Sequence, residues 1–383
     1  MEIQEYLKKK KEFHKCLLEF MDHGKTIFKE PNLIKFLEDP KLQEDKYDLR
    51  TTIHLILATV KHHHRCPDYF TKVDQIFTRL KDQILKNFTN NEIFEIFKLH
   101  KRVLLFMIKE KILKLDKSIV NSMNIQNYSP DEYLFYFSPE IKPFIDGQFS
   151  EPIQKEILRL SNYNFGIFDQ NRSNGENDEK ICQIIRKDSI DEFTSLVNQT
   201  KLPLQSEIKP SIYETSPFLL SNKPTLIEYA AFFGSIQIFK YLQSNNVALT
   251  PSLWLYAIHG NNLELIQLLK EKQIKPKDAS YLECLNESIK CHHNEIFKFI
   301  QSNFLQNNKM DDFIFSSSGN YSNYSLFPND VNNFGIFYSS CLSNNALLVE
   351  MFLKQTNIKN KINTIVVLKC QCFFYKIQKL SFY

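Results

Sequence analysis

The sequence predicts an all-α chain in which a helical N-terminal half is followed by a solenoid of stacked helix pairs. Three observations predict this fold class. Apolar residues recur at helical spacing through the first part of the chain, the strict apolar alternation of strands is not seen, and a pattern recurs after residue 180 at offsets of 27 and 31 residues. A length of 383 residues predicts two or three folding units. With 43% hydrophobic and 24% charged residues, the chain can bury a hydrophobic core.

The N-terminal region, residues 1–160, is predicted to be α-helical. Its clearest helix carries an apolar stripe at i, i+3, i+4 and i+7 spacing, formed by Val73, Ile76, Phe77, Leu80 and Ile84. Whether this half also consists of degenerate helix pairs is left open. Residues 161–180 are rich in Asn, Ser, Asp and Gly, and this composition predicts a linker.

Residues 181–356 are predicted to form helix pairs. Residues 229–242 (YAAFFGSIQIFKYL) align without gaps with residues 256–269 (YAIHGNNLELIQLL), and a third copy is residues 287–300 (ESIKCHHNEIFKFI). Weaker copies stand before and after these three. The predicted units are 181–200, 224–250, 251–278, 280–305 and 334–356, with an exposed loop at 307–333 and an atypical tail at 357–383.

Each copy has the same plan of a short helix, a corner and a second helix. Small residues in the first helix, such as Ala230, Ala257 and Ser288, let it pack closely against the next pair. The corner is a glycine or a polar residue that tolerates left-handed backbone: Asp188, Gly234, Asn261, His292 and Asn344. Two helix starts, Thr225-x-x-Glu228 and Ser280-x-x-Glu283, have the capping-box spacing. One such pair cannot bury both of its faces, so several must stack.

The repeats resemble ankyrin repeats. Residues Thr225 to Gly234 fit the ankyrin frame T-P-L-H-x-A-A-x-x-G, with Leu226 and Glu228 standing where Pro and His are expected. The chain is identified as similar to a divergent ankyrin-like family of unknown function that is expanded in parasitic protists. The resemblance is strongest over 222–303. It implies a protein-binding scaffold, and the family has no known catalytic residues that could be assigned to positions of this sequence.

The ankyrin frame also implies a binding surface. Phe232, Phe233 and His259 align with the two positions before the corner, which in ankyrin repeats point toward the concave surface. We expect these side chains to form an apolar patch that binds a partner. The alternative is that a loop or the N-terminal half covers them. Trp254, the only tryptophan, aligns with an ankyrin core position and is expected to be buried.

The recognisable enzyme motifs are missing from the sequence. Its eight glycines form neither G-x-G-x-x-G nor G-x-x-x-x-G-K-[ST], and neither G-x-S-x-G nor H-E-x-x-H occurs. The densest group of metal-ligating side chains, His62-His63-His64-Arg65-Cys66, is contiguous, whereas zinc usually takes two spaced pairs of ligands. We therefore expect no enzymatic activity, no catalytic residue, no metal and no cofactor.

Composition also bounds the compartment and the partners. The net charge of +4 is mild, so no nucleic-acid partner is expected, and no apolar run is long enough to cross a bilayer. Eight cysteines are too sparse for a disulfide scaffold, which favours reduced thiols in an intracellular, cytoplasmic protein. We expect a monomer that binds an unidentified protein. The alternative function is a regulatory or targeting subunit whose role lies in the N-terminal half, and the tail is either a truncated array or a true cap.

Overall fold

The fold is helical throughout the part of the chain that a computed structural model describes, which is residues 3–24, 26–66, 68–125, 130–145, 147, 149–162, 165–305, 310–327 and 349. Within these ranges no strand forms, and the only extended pairing is an isolated antiparallel bridge between Glu207 and Thr225. The predicted all-α class is therefore confirmed. None of the helices in these ranges is both long and apolar enough to cross a membrane.

The helices follow one another along the chain, and the connection over 201–216 is longer than its neighbours. The N-terminal helices are α1 (Ile3–His23), α2 (Pro31–Leu37), α3 (Pro40–Glu44), α4 (Lys46–His62), α5 (Tyr69–Asn87), α6 (Asn90–Phe97), α7 (Lys101–Lys109), α8 (Lys117–Ile125), α9 (Pro130–Tyr136), α10 (Ser138–Ile141), α11 (Glu151–Asn162) and α12 (Phe165–Asn174). After them come α13 (Lys180–Arg186), α14 (Ile190–Thr200), α15 (Pro217–Ser221), α16 (Leu226–Phe232), α17 (Ile236–Ser244), α18 (Leu253–His259), α19 (Leu263–Glu271), α20 (Leu282–Lys290), α21 (Asn294–Phe304) and α22 (Asp311–Asn320). Short 3-10 helices are Ile27–Lys29, Lys142–Phe144 and Tyr324–Leu326.

The chain forms two compact units. The first contains the described residues of 1–23, 31–59 and 281 onward, so that it combines the first helices with α20, α21 and α22. The second contains the described residues of 24–30 and 60–280. This division cuts across the predicted regions 1–160 and 181–356, because α1 packs against the 3-10 helix Tyr324–Leu326, which lies about 300 residues later in the chain.

Polar contacts inside the first unit join these distant segments. On α1, the buried Lys10 ammonium lies 2.6 Å from a carboxylate oxygen of Asp48 and donates to the Thr52 hydroxyl. One turn later, Nε2 of His14 lies 2.7 Å from Nδ1 of His292, the corner residue between α20 and α21. Both imidazoles are buried. A buried charge or imidazole without such a partner would cost several kcal/mol of desolvation, on the order of 3–5 for a broken buried pair, so these contacts fix the position of α1.

Four of the five predicted helix pairs lie in the described residues and form there, and their corners are alike. The pairs α13–α14, α16–α17 and α18–α19 follow one another in the second unit, and α20–α21 has the same plan in the first. Of the five predicted corner residues, Asn344 lies outside the described residues, and the other four have positive φ: Asp188 (49°), Gly234 (67°), Asn261 (50°) and His292 (63°). At each corner the N–H of that residue donates to the carbonyl three residues earlier, and the following N–H donates to the carbonyl five residues earlier. This pairing satisfies the last carbonyls of the first helix while the chain reverses.

One of the two predicted capping boxes is present. Thr225 and Glu228 cap α16 reciprocally, with the Thr225 N–H donating to the Glu228 carboxylate at 2.8 Å. At the second, the Ser280 hydroxyl donates to Asp278, and α20 begins after its N-cap Tyr281, whose φ of 60° gives the chain a left-handed turn at the helix start. The capping box of Ser280 and Glu283 stays a prediction.

Two predicted irregular segments contain helices. Residues 161–180, predicted as a linker, contain α12, whose Phe168 and Arg172 are fully buried. Arg172 forms ion pairs with Glu140 and Asp169, so the polar composition that predicts a linker in fact supplies a buried charge network. The loop predicted at 307–333 contains α22 and the 3-10 helix Tyr324–Leu326. Apart from Val349, the predicted unit 334–356 and tail 357–383 lie outside the described residues.

Gly260 lies close to the backbone of the neighbouring pair. A Cβ atom built on it would meet the Ala231 carbonyl oxygen at 2.3 Å and the Phe232 carbonyl oxygen at 3.2 Å. These neighbours are backbone atoms, so they cannot rotate away as a side chain could. We predict that Gly260→Ala lowers the free energy of unfolding by about 1–3 kcal/mol, measured by urea denaturation.

The matched control is Gly147→Ala, because a Cβ atom on Gly147 meets nothing within 4 Å. We expect this variant to unfold within about 0.5 kcal/mol of the unsubstituted chain. Equal effects of the two substitutions would contradict the close packing of α16 against the α18 end.

Candidate partner-binding surface

The structure brings the three predicted partner-binding residues together in the second unit. Phe232 is the last residue of α16, His259 is the last residue of α18, and Phe233 follows Phe232 as the C-cap. The ring centroids of Phe232 and His259 are 5.2 Å apart, and those of Phe232 and Phe233 are 5.0 Å apart. The repeat frame therefore places equivalent positions of two neighbouring pairs side by side.

Burial separates these residues into two kinds. Phe232 and His259 are only 3% and 2% exposed, whereas Phe233 is half-buried. The ring of Phe218, on α15, lies over them with its centroid 4.0 Å from that of His259 and 5.9 Å from that of Phe232. This is the alternative in which a loop covers the patch. Partner binding by the three residues stays a prediction, and in this conformation only Phe233 offers substantial surface.

Residues 202–224, here called the covering segment, hold Phe218 in place. The segment is anchored next to α16, because the N–H of Leu226, the first residue of α16, donates to the Ser206 carbonyl. Within the segment, the Ile208 N–H donates to the Pro224 carbonyl at 2.7 Å. Inside it, the Ser216 side chain caps α15. We name the rings of Phe218, Tyr229, Phe232, Phe233, Tyr256 and His259 the aromatic face.

Phe218 is not among the site residues that the sequence predicts. The available signal is the spacing of the corners, since Gly234 follows Asp188 by 46 residues, whereas the next two spacings are 27 and 31. The extra length is the covering segment. Its position over the aromatic face could not be derived from the spacing alone, because an insertion can fold away from the stack as well as onto it.

Arg186 closes one side of the aromatic face. Its guanidinium lies 5.8 Å from the Phe233 ring centroid, its Nη1 donates to the Tyr229 hydroxyl at 2.8 Å, and its Nε lies 2.9 Å from a Glu176 carboxylate oxygen. Burial raises the pKa of Tyr229 well above its ordinary value, so the phenol stays neutral. A cation fixed in this way against an aromatic ring favours apolar and cation–π contacts with a partner.

Cys182 lies beside this network but is not a reactive thiol. Burial raises its pKa to about 12, although the nearby Arg186 charge and the Tyr229 hydroxyl favour the thiolate. The thiolate is the nucleophilic form of cysteine. The buried thiol therefore contributes packing near the aromatic face rather than covalent chemistry.

The segment His62 to Cys66 begins at the C-terminal end of α4. His62 is its last residue, and the rings of His63 and His64 pack with their centroids 4.5 Å apart. Cys66 lies 3.5 Å from the Lys72 ammonium, measured from sulfur to nitrogen. The expectation that this segment holds no metal stays a prediction. Trp254, by contrast, is fully buried as predicted, and its indole N–H donates to the Ile274 carbonyl.

Comparisons with known proteins found no relative of this chain. No family model, no curated protein and no solved structure matches it. The likeness to ankyrin repeats therefore rests on the residues and corners described above.

The two phenylalanines of the aromatic face should differ in their effect on stability. We predict that Phe232→Ser lowers the free energy of unfolding by about 3–5 kcal/mol, as expected for a large side chain lost from a core. Phe233→Ser should lower it by only about 1 kcal/mol, because that side chain is already partly exposed to solvent. Urea denaturation followed by circular dichroism measures both. A loss for Phe233→Ser as large as for Phe232→Ser would show that Phe233 is a core residue.

Proposed function

We propose that this chain is a non-enzymatic protein-interaction scaffold that uses an ankyrin-like stack of helix pairs. The observation that supports it most is the set of four corners that share positive φ and the same pair of backbone hydrogen bonds. A corner repeated in this way sets the same geometry at each pair, and regular pairs present side chains of equivalent positions on one face. Function in such proteins lies in what that face binds.

Side chains that link successive pairs make the stack a defined surface. The Asp188 carboxylate, at the corner of the first pair, accepts from the N–H groups of Gln237 and Ile238 at the start of α17 in the second. Glu228, at the ankyrin His position, accepts from Ser252 in the third pair as well as from Thr225 in its own. These links fix the register of three neighbouring pairs in the second unit, and a surface that is already ordered loses less entropy on binding.

The half-exposed rings of the aromatic face are the proposed contact with the partner. Phe233 offers an aromatic surface beside the Arg186 guanidinium, and Phe218 offers a second ring at the edge of the covering segment. Aromatic and arginine side chains contribute a large share of the binding energy in protein interfaces. The partner is therefore proposed to be a protein that presents an apolar or aromatic side chain to Phe233.

Site-specific photocrosslinking tests this proposal. A photoreactive phenylalanine analogue placed at position 233 of the full chain should yield a discrete crosslinked protein in cells of the source organism. The same analogue at Phe28, which is 75% exposed and belongs to the same unit, is the matched control. Excess chain without the analogue should compete with the product at 233. No discrete product at 233, or the same product at both positions, would argue against the aromatic face as the binding site.

A further inference from the structure

Two histidines and a serine form a hydrogen-bonded row within the first unit. His14 belongs to α1, His292 is the corner residue between α20 and α21, and Ser325 is the middle residue of the 3-10 helix Tyr324–Leu326. The Ser325 Oγ lies 3.1 Å from Nδ1 of His14, and Nε2 of His14 lies 2.7 Å from Nδ1 of His292. We name these three side chains the Ser–His–His row. No function described above uses it.

Burial increases along the row from the serine inward. Ser325 is an exposed residue, whereas His14 and His292 are both buried. A molecule in solvent can therefore reach the serine but not the imidazole behind it. An activated hydroxyl in a protein has this layout, because it lies within hydrogen-bond reach of a base that a third group orients.

The backbone attaches both ends of the row to the same corner. His292 has a φ of 63°, and its N–H donates to the Ile289 carbonyl. Asn323, the N-cap of the 3-10 helix, is fully buried, and its Nδ2 donates to the same carbonyl at 3.0 Å and to Oδ1 of Asn294 at 3.1 Å. The short helix that carries Ser325 is thus tied to the corner that carries His292.

Two arrangements of protons fit the distances in the row. In the first, the Ser325 hydroxyl donates to Nδ1 of His14, whose Nε2–H donates to Nδ1 of His292. In the second, both hydrogen bonds are reversed and the serine oxygen accepts. The first arrangement is the one from which an alcohol reacts, because the base faces the hydroxyl proton while its other nitrogen is held by an acceptor.

We propose that Ser325 is a nucleophilic serine at which this chain accepts an acyl group from an activated ester. The serine Oγ bonds to the carbonyl carbon of the ester, and the hydroxyl proton passes to Nδ1 of His14. The C–O bond of the ester then breaks, and the leaving oxygen takes the proton and departs as an alcohol. Between these events the hydrogen bond to His292 stabilises the His14 imidazolium.

The product of this step is a chain that carries one acyl ester on Ser325. The step is a modification of the chain and not a turnover. It therefore depends neither on the aromatic face nor on the proposed scaffold function, and all of the side chains that it uses belong to the first unit.

Reaction of the full chain with p-nitrophenyl acetate and, in parallel, with a fluorophosphonate tests the proposal. Peptide mapping by mass spectrometry gives the rate of modification at each serine. We expect both probes to modify Ser325 at least about a hundredfold faster than Ser302, because a positioned general base contributes about that factor or more. Ser302 is the matched control, since it is exposed in the same unit but donates to the Phe299 carbonyl of its own helix.

Two variants test the roles within the row. Ser325→Ala changes only an exposed side chain and should remove the fast modification by both probes. His14→Gln should slow the modification of Ser325 at least about a hundredfold while circular dichroism shows an unchanged fold. The proposal is overturned if Ser325 in the unsubstituted chain reacts no faster than Ser302, or if the folded His14→Gln chain reacts as fast as the unsubstituted chain.

A thiol at the same position keeps the proposal testable if His14→Gln fails to fold. Ser325→Cys leaves His14 in place, and a cysteine beside a histidine base has more thiolate than an ordinary exposed cysteine. We expect iodoacetamide to alkylate position 325 in this variant at least about tenfold faster than position 302 in Ser302→Cys. Equal rates at the two positions would overturn the proposal.

Discussion

The left-handed corner between the two helices of each pair is the constraint on which the rest of the repeat region depends. A chain can reverse within so few residues only if one of them adopts positive φ and if the last carbonyls of the first helix find donors. Asp188, Gly234, Asn261 and His292 do both. The position of the second helix, the contact between neighbouring pairs and the place of the residue before each corner all follow from that turn.

Because each corner fixes where the helix before it ends, the residues two positions before the corners come together and form the aromatic face. Phe232 and His259 end their helices at equivalent positions, so their rings meet once the pairs stack. The covering segment then adds Phe218, which shields these two rings while leaving Phe233 half-exposed. This shielding leaves less apolar surface exposed to water than the same rings would expose if they were uncovered.

Local patterns predicted the features that depend on a few neighbouring residues. The four described corners, the Thr225 capping box and the burial of Trp254 were all readable from the sequence, since each is decided within one helix pair. Contacts between residues far apart in the chain could not be predicted from the sequence. The hydrogen bond between His14 and His292 joins residues 278 positions apart, and no periodicity in either segment points to the other. The linker predicted at 161–180 is wrong for a related reason. A polar residue such as Arg172 is typical of a surface position, and only the fold brings Glu140 against it in an ion pair.

The carboxylate of Asp188 has a consequence for how such an array can change over generations. Because this side chain holds the start of a helix in the following pair, a pair that is duplicated or lost as a block leaves its neighbour without an acceptor at that helix start. A pair moved to another place in the array therefore loses about 1 kcal/mol of helix capping unless its new neighbour supplies an acceptor at that helix start.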